Sequence, residues 1–234
     1  MTASPTFRPD ESVLDNPVLA SLTGPHAAFA EVEGTVRRYR PSVSPFIALP
    51  DVLNDEVWRD VARLAGPGGV VPLASTGAQP PADWERLAVI PGVQLVATDA
   101  VVGALDPEAV RLGADDVPDM LELVERTRPG PFESETYLLG NYVGIRREGR
   151  LVAMAGQRLN PPGWAEISAV CTDADERGQG LASRLVLTVA ALIRARGETP
   201  FLHAAASNTN AIRLYETLGF RLRKRTTFGA VRVP

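Results

Sequence analysis

The chain is poor in the residues from which several kinds of site are built. Its 234 residues include one cysteine, Cys171, which excludes an intrachain disulfide and a zinc site of paired cysteines. It has no long basic run, and 24 Lys and Arg against 28 Asp and Glu leave a formal charge of −4. Since nucleic acids and anionic membranes require a concentrated positive patch, the sequence predicts neither as a partner.

Long apolar runs are absent as well. No stretch approaches the ~20 apolar residues that a membrane helix requires. Residues 1–10 lack the basic start and the apolar segment of a secretory signal. Together with the single cysteine, these features predict a cytoplasmic protein in a reducing compartment.

What is present is a globular composition, with 45% apolar and 22% charged residues. At a typical ~150 residues per domain, the length fits one large domain or two small ones. The Asp115-Asp116 pair followed by Pro118 indicates a helix start, and the sequence pattern changes near it. We therefore predict a small α/β domain over residues 1–104 and a second domain over residues 105–234.

The first domain shows helices and short strands but no catalytic constellation. Helical spacing over residues 14–33 predicts two short helices, divided at Gly24-Pro25. A helix capped by Asn54 should follow, and then strands within residues 69–74 and 89–98. We expect this layer to serve packing, acceptor selection or regulation.

The second domain alternates strands and helices. A hairpin is predicted over residues 142–156, and the strand Trp164–Thr172 should place Glu166, Val170 and Thr172 on one face. The remaining predicted elements are an apolar helix from Leu181 to Arg196, a strand at residues 201–206, a helix from Asn208 and a last strand from Phe220.

A glycine-containing loop, Arg177-Gly178-Gln179-Gly180-Leu181-Ala182, joins that strand to the apolar helix. Two glycines let the backbone approach an anion, and the N–H groups and dipole of the helix's first turn favour a pyrophosphate. The loop matches neither GxxxxGK(S/T) nor GxGxxG, so both of those nucleotide fingerprints fail. A tight strand-to-helix turn without a ligand explains the spacing equally well.

Two motifs resemble the GNAT superfamily of acyl-CoA-dependent N-acyltransferases. The loop fits the family's Arg/Gln-x-x-Gly-x-Gly/Ala cofactor loop, and Asn208 to Phe220 fits its Asn-x-x-Ala-x-x-x-Tyr-x-x-Leu-Gly-Phe segment. The resemblance covers about residues 106–234 and implies an α/β fold, with a mixed, mostly antiparallel sheet flanked by helices. Residues 1–104 would form a smaller α/β domain, or a degenerate half of the same fold as in tandem members.

The resemblance also implies how acetyl-CoA, or another acyl-CoA, would bind in a gap between the strands 164–172 and 201–206. Backbone groups of Val170 and Thr172 would hold the pantetheine arm, and Asn208 would hydrogen-bond the pantetheine or the departing thiol. The pyrophosphate would lie against Arg177, Gly178, Gly180, Ala182 and Ser183. Tyr215 would protonate the thiolate, and no metal is required.

Four side chains have alternative interpretations. Glu166, on the strand face that should border the thioester, is a candidate base, direct or through water, but a solvated edge residue or an ion-pair partner fits as well. By pattern alone Tyr215 fits a core position. Cys171 is interpreted as a buried small residue and not as a nucleophile. His26, without a second ligand at metal spacing, is interpreted as a surface or capping histidine.

The residues and the resemblance together predict an N-acyltransferase that moves an acetyl or other short acyl group from acyl-CoA directly to a primary amine of a small molecule or peptide. The alternative is a non-catalytic acyl-CoA-binding regulatory module, in which the phosphate loop survives and the acid-base pair does not work. The sequence identifies neither the acceptor amine nor the oligomeric state, and a homodimer is compatible with it.

Overall fold

Eleven strands of the chain form one mixed sheet in the computed structural model, which describes residues 9–74 and 78–234. The strands are β1 (Ala30–Glu33), β2 (Val36–Tyr39), β3 (Ile47–Ala48), β4 (Val70–Ala74), β5 (Glu85–Ala97), β6 (Val110–Leu112), β7 (Tyr142–Arg147), β8 (Arg150–Gln157), β9 (Trp164–Thr172), β10 (Thr199–Ala205) and β11 (Phe220–Arg232). Their order is β1-β2-β3-β4-β11-β5-β10-β9-β8-β7-β6. Among these neighbours, the pairs β3/β4 and β9/β10 are parallel and the others antiparallel. The predicted fold class is confirmed.

Five α-helices accompany the sheet in the described part of the chain. They are α1 (Pro17–Leu22), α2 (Asp55–Ala65), α3 (Val117–Thr127), α4 (Leu181–Arg194) and α5 (Thr209–Thr217). The predicted Asn54 cap is confirmed, because its Oδ1 accepts a hydrogen bond from the Val57 N–H at 3.0 Å. None of these helices has the length and apolar character needed to cross a membrane.

Of the two short helices predicted within residues 14–33, one is confirmed and one is wrong. The first is α1, but the second is wrong, because residues 30–33 form β1 and pair with β2. Gly34, with a φ of +54°, lets the chain reverse directly between the two strands. His26, interpreted as a surface or capping histidine, is buried. It holds the N-cap position of the turn Ala27–Phe29 without a side-chain capping bond, and its Nδ1 lies 2.9 Å from Tyr39 Oη.

The helices cover the two faces of the sheet. On one face, α4 buries Leu185, Val189 and Ile193 against a cluster that includes Ile145 and Ile167. On the other face, α1 and α3 pack over separate clusters. The apolar circumference of α4 is explained by this position, because the helix is flanked by four strands of the sheet.

The sheet is continuous across the predicted boundary at residue 104. β5, from the first 104 residues, lies between β10 and β11 from the second part. Side chains cross the boundary as well: Trp164 Nε1 donates to the carbonyl oxygen of Asp10 at 3.0 Å, and Arg223 Nη1 donates to Gln94 Oε1 at 2.9 Å. Whether residues 1–104 form a separate folding unit, or a degenerate half of the same fold, stays a prediction.

Candidate active site

The parallel strands β9 and β10 are paired over part of their length. Their backbone partners run from Trp164 opposite Thr199 to Ile167 opposite Leu202, and the register ends there. Both strands continue beyond these residues, and a cavity of about 900 Å³ opens between and around their ends. The cavity therefore lies at the gap that the resemblance implies.

β9 contains a bulge where it leaves β10. Against β8 it carries one extra residue, and Ala169 there has a left-handed φ of +53°. The bulge reverses the alternation of side chains, so that Val170 packs in the α4 cluster with Ile167. Glu166 points to the opposite face, since it precedes the bulge and neighbours Ile167 along the strand. The expectation that Glu166 and Val170 share a face is wrong.

The glycine loop meets the cavity at the first turn of α4. Gly178 and Gly180 have φ values of +82° and +74°, and a Cβ added at either would meet no described atom within 4 Å. Gly180 is the N-cap of α4, so no side chain caps the helix's first N–H groups. Arg177 is exposed beside them. This arrangement can hold a pyrophosphate by backbone donors, the helix dipole and one cation.

Two polar side chains border the same cavity between the loop and α5. Thr172 Oγ1 is buried and has no hydrogen-bond partner among the described residues. Asn208 Oδ1 caps α5 by accepting from the Ala211 N–H at 3.2 Å, which leaves its amide NH2 as a donor. An unpaired buried hydroxyl is costly, so a ligand group that hydrogen-bonds Thr172 would remove that cost.

Tyr215 lies near the end of α5 and lines the cavity while its ring packs against Phe220, with centroids 6.1 Å apart. Burial raises the pKa of Tyr215 to about 12, so the phenol is protonated at neutral pH. Tyr215 therefore both packs in the core and lines the cavity, two roles that the sequence pattern presented as alternatives. The group can act as a proton donor.

Glu166 is fully buried and charged. Arg158 binds it with two hydrogen bonds, from Nη2 to Oε1 at 2.7 Å and from Nε to Oε2 at 2.9 Å. His203 Nδ1 lies 2.7 Å from Oε1. Although desolvation alone would raise it, the pKa of Glu166 falls to about 2 because Arg158 and His203 stabilise the carboxylate. A carboxylate held in this way is a weak base, and Arg158 and His203, not Glu166, line the cavity.

The cavity continues on the other side toward residues of the first hundred. Its wall there includes Phe46, Leu73 and Ile90, together with Phe228 of β11. Arg158 lies over the Phe46 ring, with its guanidinium carbon 4.9 Å from the ring centroid. This half of the cavity is mostly apolar and has a cationic edge.

Cys171 is buried, and burial raises the pKa of its thiol to about 11. A thiol in that state contains almost no thiolate at neutral pH. This environment agrees with the interpretation of Cys171 as a small buried residue.

A solved structure of a candidate acetyltransferase of the GNAT family from Novosphingobium aromaticivorans resembles the chain over nearly its whole length. The two are 40% identical, the match covers 94% of this chain and 98% of that one, and the TM-score is 0.85. The chain belongs to the GNAT family of N-acetyltransferases. The FR47-like protein family also matches, over residues 142–229.

Two curated relatives match part of the chain. The N-alpha-acetyltransferase RimI of Mycobacterium tuberculosis is 36% identical over 84 residues, which are 35% of this chain and 52% of that protein. The mycothiol acetyltransferase of Thermobispora bispora is 45% identical over 56 residues, which are 24% of this chain and 19% of that protein. The chain spans about half or less of the length of these curated relatives.

Several residues of the candidate site were not singled out in the sequence, among them Arg158, His203 and Ile90. His203 and Arg158 were not singled out because their importance depends on Glu166, whose neighbours are set by strand order. The charge of Glu166 inside an otherwise apolar strand was a usable signal, since a buried carboxylate needs a partner. Ile90 carries no signal of its own in a strand-forming segment.

Proposed function

We infer that this GNAT protein transfers an acetyl group from acetyl-CoA to a primary amine. The observation that carries this proposal is one continuous cavity with two different ends. One end has the glycine loop, the start of α4 and Tyr215, and the other has the apolar wall with Arg158 and His203. We propose that the first end holds the donor and the second the acceptor, with the gap between β9 and β10 between them.

The residues present fit the donor. The pyrophosphate of acetyl-CoA would take the N–H groups of Gly180, Ala182 and Ser183 and the charge of Arg177, with Gly178 keeping the loop close to it. The pantetheine arm would run along the backbone of Val170 and Thr172, where the unpaired Thr172 hydroxyl provides a hydrogen-bonding group. The amide NH2 of Asn208 would donate to the same arm.

The proposed reaction is direct transfer. The neutral amine nitrogen attacks the thioester carbonyl carbon, a C–N bond forms, and the C–S bond breaks. The departing thiolate takes the proton of Tyr215 Oη. The surplus proton on nitrogen then passes through solvent to the Tyr215 phenolate and restores the phenol. Glu166 remains part of the proposed site, but its buried ion pair with Arg158 assigns it an indirect role.

The first hundred residues are proposed to select the acceptor. Phe46, Leu73 and Ile90 line the end of the cavity that the glycine loop does not reach. An amine with an apolar portion next to the reacting nitrogen would bury that portion there. The acceptor would be a small molecule or an extended peptide end, since both can enter a cavity of this size.

The rival function is acyl-CoA binding without catalysis, and thiol release separates the two. Acetyl-CoA is incubated with a panel of primary amines, with and without protein, while free thiol and the mass of each amine are measured. The proposal predicts amine-dependent thiol release and an amine heavier by one acetyl group. Tight acetyl-CoA binding with no such release for any amine, at any pH from 6 to 10, would support the rival.

A further inference from the structure

Five buried or part-buried polar side chains form a row across the sheet, one on or beside each of five successive strands. We call this the polar row: Arg158 after β8, Glu166 on β9, His203 on β10, Gln94 on β5 and Arg223 on β11. Hydrogen bonds join each member to the next. His203 Nδ1 lies 2.7 Å from Glu166 Oε1, and His203 Nε2 lies 3.1 Å from Gln94 Nε2.

The row fixes which nitrogen of His203 carries the proton. Arg223 Nη1 donates to Gln94 Oε1 at 2.9 Å, which orients the amide so that its nitrogen faces His203. An amide nitrogen donates and does not accept, so His203 Nε2 must accept. The ring proton is then on Nδ1 and is donated to Glu166. In this arrangement the ring's lone pair is on Nε2.

His203 also stands where the two strands part. The last pair of β9 and β10 joins Ile167 to Leu202, and His203 is the next residue of β10. It lines the cavity, although its side chain is 4% exposed. A base at this point would lie where the donor's thioester and the acceptor's amine meet under the proposed function.

We propose that His203 Nε2 accepts the proton of the acceptor's ammonium group and that Glu166 is a positioning residue that holds the ring and stabilises its charged form. The proton moves from the ammonium nitrogen to Nε2 and later passes from Nε2 to solvent, and the nitrogen lone pair so released forms the bond to the carbonyl carbon. The Gln94 N–H must leave Nε2 as the proton arrives. This inference rests on the proposed function, because it assigns the base of that reaction.

The charged groups around His203 set the expected pH behaviour. Glu166 faces it from β9 and favours the protonated ring. Arg158, behind Glu166, and Arg223, behind Gln94, oppose that form. Tyr39, whose pKa is raised by burial, lies near the Arg158–Glu166 pair and stays neutral. Phe201 and Phe228 contact the ring edgewise and contribute no charge.

The first test replaces His203 and compares it with the other histidine. His203→Gln should lower the rate constant for acetyl transfer ~100- to 10,000-fold and abolish the rising limb of the pH–rate profile. His26→Gln, a change at a buried histidine outside the cavity, should leave both unchanged. Acetyl-CoA affinity, measured by calorimetry, should be the same in all three proteins and shows that the variants are folded.

The second test separates positioning from a purely structural role. Glu166→Gln should lower the rate and move the midpoint of the rising limb to lower pH, because an anion that favours the protonated ring is lost. Glu166→Asp keeps the charge and should keep the midpoint within experimental error. Gln94→Leu should move the midpoint to higher pH, because a donor that favours the neutral ring is lost.

Three results would overturn the inference without touching the proposed function. The first is a wild-type rate of acetyl transfer in His203→Gln. The second is a pH–rate profile of His203→Gln that keeps its rising limb. The third is a midpoint of that limb that neither Glu166→Gln nor Gln94→Leu moves. Absence of amine-dependent acetyl transfer in the wild-type protein would instead reject the proposed function. If His203→Gln loses acetyl-CoA binding, His203→Asn is assayed in its place, and the same rate and pH criteria apply.

Discussion

Ile167 and Leu202 are the last partners joined across β9 and β10, and every residue assigned to the transfer step lies beyond or beside this pair. The cavity exists because the two strands part here while β10 keeps its pairing with β5. A parallel pair that separates inside a sheet leaves backbone groups available to a ligand without breaking the sheet. This opening is what links the fold to the proposed chemistry.

The glycine loop can be tested by an alanine at Gly180. Gly180→Ala should weaken acetyl-CoA binding by on the order of tenfold, because a Cβ would stand where the backbone meets the pyrophosphate. Gly197→Ala is the matched control: it lies just beyond the other end of α4, has a φ of +77°, and also has open space around it. Both variants carry the same backbone strain, so equal affinities measured by calorimetry would remove the loop from the site.

Tyr215 can be tested by removing its hydroxyl. Tyr215→Phe should lower kcat ~100- to 10,000-fold with little change in acetyl-CoA affinity, because the ring packing survives and the proton donor is lost. Since the raised pKa keeps the phenol protonated up to about pH 12, Tyr215 should cause no fall in the wild-type rate between pH 7 and about 10.

Tyr142→Phe is the control for that change. Tyr142 Oη is buried, has no hydrogen-bond partner among the described residues and does not line the cavity. The acetyl-transfer rate should be unchanged. The free energy of unfolding, measured in urea, should rise by about 1 kcal/mol, because an unsatisfied buried hydroxyl is removed. Equal activity of Tyr215→Phe and wild type would leave the ring with a packing role alone.

The acceptor wall can be tested at Ile90. Ile90→Ala should raise the KM of an apolar amine about fivefold, since ~1 kcal/mol of apolar contact is lost, and should leave acetyl-CoA affinity unchanged. Val89→Ala is the control, because Val89 is the neighbouring exposed residue and does not line the cavity. A change in acetyl-CoA affinity without a change in amine KM would place Ile90 on the donor side.

The burial of His26 should make the stability of the fold sensitive to acid. Burial lowers the pKa of His26 from 6.5 to about 4, so between these pH values the unfolded chain binds a proton that the folded chain does not. The stability that results is present above pH 6.5 and is lost as the pH falls toward 4, on the order of 3 kcal/mol in total. Urea midpoints at pH 7 and 4.5 measure this loss, and His26→Gln should reduce the difference between them. An unreduced difference would assign the acid sensitivity to other groups.

Local signals in the sequence predicted much of the fold. The strand Trp164–Thr172 was predicted with the bounds that the structure shows, because alternation and flanking turns mark both ends. The bulge at Ala169 was not predictable, since an alanine in a left-handed conformation has no sequence signature. The place of β5 between β10 and β11 was also beyond reach, because it depends on pairing between distant segments.

The candidate site divides in the same way. The residues of the glycine loop and α5 form continuous motifs, so they could be read in order along the chain. The polar row joins five strands from three distant segments, and a side chain such as His203 acquires its partners through the register of β10 against β9 and β5. A charged residue in an apolar strand predicts that a partner exists, but it does not identify the partner.

The most direct measurement is a crystal structure of the protein with acetyl-CoA. We expect the pyrophosphate on the backbone of residues 178–183, the thioester between β9 and β10 beside His203, and the sulfur within hydrogen-bond reach of Tyr215 Oη. Acetyl-CoA bound with its pyrophosphate away from α4, or with its thioester outside the gap that follows Ile167 and Leu202, would show that this cavity is not the site of acetyl transfer.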